Sequence, residues 1–297
     1  MRDFSTDHRW LSINTATVRK QRGQDWPLLQ ILDACAARSI RAVAPWRDQV
    51  AAAGLKATAA AVKAHGLELS GYCRGGMFTY ADASSQRAVR DDNRRALDEA
   101  CTLNAACLVL VVGGLPGALG GKAAHKDIAS ARAQVAEGIA ALLQDARQRN
   151  MPLAIEPLHP MYAADRACIN TLAQALDLCD ELDPARSGAL GVAVDVYHVW
   201  WDPQLQQQIE RAADRSKGQS RLLAFHVCDW LTPTTDLLND RGMMGDGVID
   251  IPRIRGWVEA QGFAGYSEVE IFSTGHWWQR DGGEVLDTCI DRHKRCV

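Results

Sequence analysis

The chain has 297 residues, 47% hydrophobic and 23% charged, with 36 acidic residues against 33 Lys and Arg and a formal net charge of −3. This composition excludes a disordered or fibrous class, and without a basic stripe a nucleic-acid partner is not expected. The start, MRDFSTDHRW, lacks the apolar core of a signal peptide, and no apolar run reaches the length of a membrane span, so a cytoplasmic protein with no membrane partner is expected.

Short β-like runs alternate with amphipathic helical stretches along the chain: LSINTATV (11–18), IRAVAPW (40–46), LELSGYC (67–73), ACLVLVVGG (106–114), PLAIEPL (152–158), ALGVAVDV (189–196), LLAFHVC (222–228) and YSEVEIF (266–272). The stretches between them include PLLQILDACAARS, AVRDDNRRALDEACTLN, IASARAQVAEGIAALLQDARQRN and PQLQQQIERAADR, and several helices end in Gly or Asn, as a left-handed C-cap requires. Strands separated by helices must pair in parallel, and eight such units in this length predict a single α/β domain over 1–297, a (β/α)8 TIM barrel.

Two other readings of the chain fail. No G-x-G-x-x-G follows the first strand, which removes the usual sign of a dinucleotide fold. GGLPGALGGK (113–122) is not a phosphate loop, because Pro116 stands where glycine is needed and Ala123 where Ser or Thr is needed; it reads as a mobile loop over the barrel mouth. Nine cysteines without a C-x-x-C suggest neither a disulfide framework nor a zinc finger, and Cys101 and Cys179 read as reduced core residues.

Active sites of such barrels sit at the C-terminal ends of the strands, and four consecutive runs carry a metal-binding side chain there. Glu156 ends the fifth, Asp195 ends the sixth, His226 lies late in the seventh and Glu270 late in the eighth, with gaps of 39, 31 and 44 residues that each match about one βα unit. Four buried polar groups in one place are costly without a charged partner, and a divalent cation removes that cost. Three carboxylates and one imidazole suit Mn²⁺, Mg²⁺ or Co²⁺ best, with Zn²⁺ still compatible, and leave positions where a substrate can chelate. Glu268 shares a strand face with Glu270, so periodicity alone does not choose between them; nearness to the mouth favours Glu270. Asp195 and His198 are three apart and would face opposite sides of a continued strand, so the strand is expected to end between them and His198 to fold back over the mouth.

These residues sit in AIEPLHP, VDVYHVWWDP, FHVCDW, DRGMMGDGVIDIPRI and EVEIFS, which cover most of residues 152–273. Through them the chain resembles the sugar phosphate isomerase/epimerase family of xylose isomerase-like TIM barrels, whose relatives include ketose 3-epimerases, inosose dehydratase and endonuclease IV. The resemblance implies one divalent metal on Glu156, Asp195, His226 and Glu270, with the two glutamates as the acid/base pair and His198 and Arg241 holding substrate oxygens. It implies a metal-dependent sugar epimerase or aldose–ketose isomerase working through an enediolate. A dehydratase of a keto-cyclitol or polyol, or a non-catalytic metal barrel that serves a larger enzyme, uses the same motifs. The three-zinc nuclease site of endonuclease IV is not expected, since Gly242 replaces a histidine ligand and the second and third strands end in Pro45-Trp46 and Tyr72-Cys73.

The substrate expected is an unphosphorylated carbohydrate or cyclitol, because no glycine loop precedes a helix after the last strands. Trp46, Trp200, Trp201, Trp230, Trp277 and Trp278 fall at or beyond strand ends, where aromatic faces stack on sugar C–H groups or pack the barrel top; His159 and His276 lie in loops that can line the pocket. A homo-oligomer is compatible with everything in the sequence.

Overall fold

A computed structural model describes residues 1–213, 216 and 218–297. Nine strands form one sheet: β1 (Leu11–Asn14), β2 (Ala42–Ala44), β3 (Glu68–Leu69), β4 (Tyr72–Gly76), β5 (Leu108–Val111), β6 (Leu153–Ile155), β7 (Leu190–Asp195), β8 (Leu222–Val227) and β9 (Ser267–Val269). Their order, β3-β2-β1-β9-β8-β7-β6-β5-β4, is that of a nearly closed parallel barrel of the TIM type. The third expected strand is two, interrupted at Ser70-Gly71. Most strands are shorter than their apolar runs because the chain turns early; after β1, the Thr17 amide donates to the Asn14 carbonyl and closes a turn. The helix expected over 203–215 is present as Leu205–Ala212, and residues 214 and 215 lie outside the described residues.

Residues Met1–Tyr72 and Ala224–Val297 form one compact unit. Within it β1 pairs in parallel with β2 and β9, and β9 with β8, so that Ser12 registers with Glu268 and Glu268 with His226. Leu11, Ser12, Ile13 and Asn14 are all fully buried, so the alternation gives β1 one apolar face and one hydrogen-bonding face. The helix Leu28–Ala37 buries Leu28, Ile31, Leu32 and Cys35, the i, i+3, i+4, i+7 stripe of a helix packed on a core. The C-terminal helix Gly282–Cys296 begins where the Asp281 side chain accepts from the amides of Gly283 and Glu284.

Residues Cys73–Leu223 form the second unit. There β6 pairs in parallel with β5 and β7. Two long helices flank this part of the sheet. Ala83–Leu103 starts in a capping box between Asp82 and Ser85, and Ile128–Arg149 starts on Asp127; they end in left-handed Asn104 (φ 55°) and Asn150 (φ 52°). Gly76, at φ 109°, passes so close to β5 that a Cβ there would stand 2.0 Å from the Val111 carbonyl oxygen, which only glycine permits. The glycine-rich loop after β5 is tied down at its start, Gly113 and Leu115 donating to the carbonyls of Arg166 and Ala164.

All nine cysteines are free. Cys179 is buried, as expected for a core thiol, whereas Cys101 is half-buried; burial pushes the thiols of Cys35 and Cys179 up to about 12. Among the described residues no helix is long and apolar enough to cross a membrane.

Candidate metal centre

In the second unit Glu156 lies one residue beyond β6, its amide still donating to the Leu110 carbonyl at 3.1 Å. Asp195 closes β7, and its Oδ1 accepts from the Tyr197 amide at 2.8 Å, starting the short helix Val196–Val199 on the next residue. The strand therefore ends between Asp195 and His198, as alternation required. His198 is buried, with Nε2 3.7 Å from Asp195 Oδ2 and Nδ1 accepting from the His159 amide at 3.2 Å. That acceptor role places the ring proton on Nε2, facing Asp195.

His159 is half-buried, accepts from the Met161 amide through Nδ1 at 3.3 Å and meets the Trp201 ring edge-on at 5.7 Å. Burial holds its imidazolium below the usual histidine range. Trp201 donates its indole N–H to the His198 carbonyl at 2.8 Å, so its position depends on the same short helix.

In the first unit His226 lies within β8, and Glu270 stands one residue beyond β9. Arg241, on a two-residue antiparallel ribbon with Asp229–Trp230, is buried against Glu270, with Nη1 3.2 Å from Oε2. Its guanidinium also covers the Phe272 ring at 5.1 Å. Glu268, one layer deeper than Glu270, accepts from Asn14 Nδ2 at 2.8 Å and from Ser70 Oγ at 2.7 Å. Asn14, Ser12 and Ser70 were not expected near the site. The available signal was the polar residue at every second position of LSIN, inside an otherwise apolar strand.

Glu156, Asp195, His226 and Glu270 are all buried, and each offers a ligand atom within 4.8 Å of those of the others. Two oxygens on opposite sides of one cation, each about 2.3–2.4 Å from it, are separated by about that much. Three carboxylates brought so close repel one another unless protons or a cation intervene. This buried cluster of acids and one histidine could bind a metal.

The tryptophans divide. Trp277 and Trp278 are buried, and Trp278 donates to the Ala16 carbonyl while packing on Phe272 at 6.0 Å, which makes it part of the core. Trp46, Trp200, Trp201 and Trp230 are half-buried. Trp46 meets Phe272 edge-on at 5.3 Å and donates its N–H to Asn14 Oδ1 at 2.7 Å. His276 caps no helix with its side chain and packs on Trp277.

The sheet and its buried cluster define a parallel α/β barrel with a candidate metal centre. The profile of the xylose isomerase-like TIM barrel family matches residues 32–289, and the chain belongs to that family. Protein SMc04130 from Sinorhizobium meliloti 1021 is 55% identical, the alignment covering 97% of this chain and 98% of that one, with a TM-score of 0.89. Two more distant structures share the fold. The IolI protein with a bound zinc atom is 16% identical over 97% of this chain and 99% of its own, TM-score 0.75. The 3-keto-D-glucoside 4-epimerase YcjR from E. coli is 16% identical over 94% and 97%, TM-score 0.69. No curated protein matches the sequence.

Proposed function

We propose that this chain is a divalent-metal-dependent sugar epimerase or aldose–ketose isomerase. The observation that carries the reading is the buried cluster of Glu156, Asp195, His226 and Glu270 in a barrel of this family. Among its fold neighbours are a 3-keto-D-glucoside 4-epimerase and a D-psicose 3-epimerase. The four side chains would hold one ion, and their oxygen-rich set suits Mn²⁺, Mg²⁺ or Co²⁺. Such an ion, when bound, would polarise a carbonyl and its neighbouring hydroxyl and so acidify the C–H of the hydroxyl-bearing carbon.

The remaining chemistry belongs to the chain. One of Glu156 and Glu270 removes the proton next to the carbonyl, leaving an enediolate, and the other returns a proton to the opposite face of the same carbon, which gives the epimer. Return to the neighbouring carbon gives the aldose–ketose isomer. Arg241 fixes the Glu270 carboxylate and reaches the substrate oxygens beside it. His198 steadies Asp195 and presents an N–H to the pocket, with His159 and Trp201 forming the adjoining wall. The substrate is a small unphosphorylated carbohydrate or cyclitol.

The test is a panel of ketoses and keto-cyclitols incubated with the Mn²⁺-loaded protein in D₂O and followed by proton NMR. Exchange of one carbon-bound proton together with a new epimer or isomer supports the proposal. Loss of water to an unsaturated ketone assigns a dehydratase instead, and no exchange with any substrate assigns a non-catalytic barrel.

A further inference from the structure

We infer that Glu268 is a positioning residue that fixes the ring of His226 so that Nδ1 is the nitrogen offered to the cation. The inference rests on the metal-centre reading above and adds to it a residue that touches neither ion nor substrate. Glu268 and His226 are register partners on adjacent parallel strands, so their side chains leave the sheet on the same face. His226 Nε2 stands 3.5 Å from Glu268 Oε1, and both side chains are fully buried. A carboxylate there favours the tautomer with its proton on Nε2, which leaves the Nδ1 lone pair for a metal.

Glu268 is itself held on a hydrogen-bonded chain that runs out to an aromatic side chain. Asn14 Oδ1 accepts from both the Ala16 amide at 3.1 Å and the Trp46 indole N–H at 2.7 Å, which fixes the orientation of its amide group. The Asn14 NH₂ therefore faces Glu268 Oε1, at 2.8 Å. The other oxygen accepts from Ser70 Oγ at 2.7 Å, and Ser70 Oγ pairs with Ser12 Oγ at 2.6 Å. Two donors, one at the end of β1 and one in the break between β3 and β4, thus lock the carboxylate plane, and Oε1, which accepts from Asn14, is also the oxygen that faces His226. Buried carboxylates are expensive to retain for packing alone. A carboxylate oriented by two donors beside a metal-binding imidazole has the arrangement that sets ligand direction and basicity.

The experiment compares wild type with Glu268→Gln, Glu268→Leu and Asn14→Ser, using His226→Ala as the control for loss of a ligand. Mn²⁺ affinity is measured by calorimetry, and the His226 tautomer by ¹⁵N NMR of the metal-free protein. The expected result is about 10- to 100-fold weaker Mn²⁺ binding in both Glu268 variants. Asn14→Ser should show a smaller loss in the same direction, and the wild-type Nε2–H tautomer should give way to a mixture in Glu268→Leu. Near-UV circular dichroism checks that each variant is folded, and Asn14→Ser carries the test should Glu268→Leu not fold. Unchanged affinity in Glu268→Gln and Asn14→Ser overturns the inference, as does an unaltered tautomer in Glu268→Leu. A loss in Glu268→Gln as complete as in His226→Ala makes Glu268 a ligand, which also overturns it. If wild type itself binds no Mn²⁺, Mg²⁺ or Co²⁺, the metal-centre reading is what fails, while the metal-free tautomer still tests the Glu268–His226 contact.

Discussion

Arg241 and Glu270 form a buried pair, with Nη1 3.2 Å from Oε2 and 3.4 Å from the main-chain carbonyl of the same glutamate. One guanidinium thus holds both ends of the residue. Its planar fork cannot be reproduced by a lysine ammonium. Arg241→Ala is expected to lower turnover by about 10²–10³-fold, the usual loss when a preorganised donor leaves a site. Metal content should stay near wild type, and Arg241→Lys should recover only part of the activity. Loss of the ion in Arg241→Ala, read by elemental analysis, would show that the pair serves binding and not turnover.

The two glutamates make a paired prediction. Glu156→Gln and Glu270→Gln keep an oxygen for a cation but remove the base, and each should cost about 10²–10⁴-fold in rate while retaining partial metal affinity. In D₂O each variant should lose first the exchange step begun by its own residue. Near-normal turnover in either one would end the two-glutamate mechanism.

His198→Ala removes the ring that faces Asp195 at 3.7 Å and accepts from the His159 amide. The ion should remain, because Asp195 keeps its bond from the Tyr197 amide. Turnover should fall, and the His159–Trp201 wall should loosen, visible as a change in tryptophan fluorescence. Complete loss of metal in this variant would make His198 a ligand.

Acid stability carries a fourth prediction, at His293 in the C-terminal helix. His293 is fully buried, stacked on Phe4 at 4.5 Å, and among the described residues neither ring nitrogen has a hydrogen-bond partner. Burial first, then repulsion from Arg255, His8 and Arg2, pushes its pKa down to about 3 from the ordinary 6.5. Between those values the unfolded chain takes up a proton that the native state refuses, so this residue's contribution is whole above 6.5 and is lost as pH falls toward 3. The penalty is about 1.4 kcal/mol for each pH unit crossed. Urea unfolding at pH 7, 5 and 4 should show His293→Leu losing less stability than wild type over that range. Parallel pH slopes for the two proteins would contradict the assignment.

Much of the barrel was legible because its signals are local. Alternating β and α patterns placed all eight strand regions, and Asp195 and His198, three apart, located the end of β7. Strand ends were less legible: Glu156 and Glu270 follow their strands by one residue, since pairing stops where the carbonyls turn to the loops, which apolar content does not register. The split at Ser70-Gly71 escaped for a related reason. Ser70 spends its hydroxyl on Glu268, 198 residues away, and only the folded chain joins them. The tryptophans were ambiguous from the start, because an indole that packs and one that awaits a sugar look alike until the N–H partner is known. For Trp46, Trp201 and Trp278 that partner is within the protein.

Asp195 ends a strand and opens a helix with the same carboxylate, Oδ1 being committed to the Tyr197 amide. A cation bound at this centre would therefore meet an arm already aimed, whose ordering was completed when the backbone folded. Exchange of the ion should leave β7 and the helix Val196–Val199 in place. The demand also falls on chain length: glutamate would carry the same charge, but its longer stem would not cap the helix in the same way. A substitution that looks mild by charge would at once misdirect a ligand and shift His198, coupling two parts of the centre through a single turn of backbone.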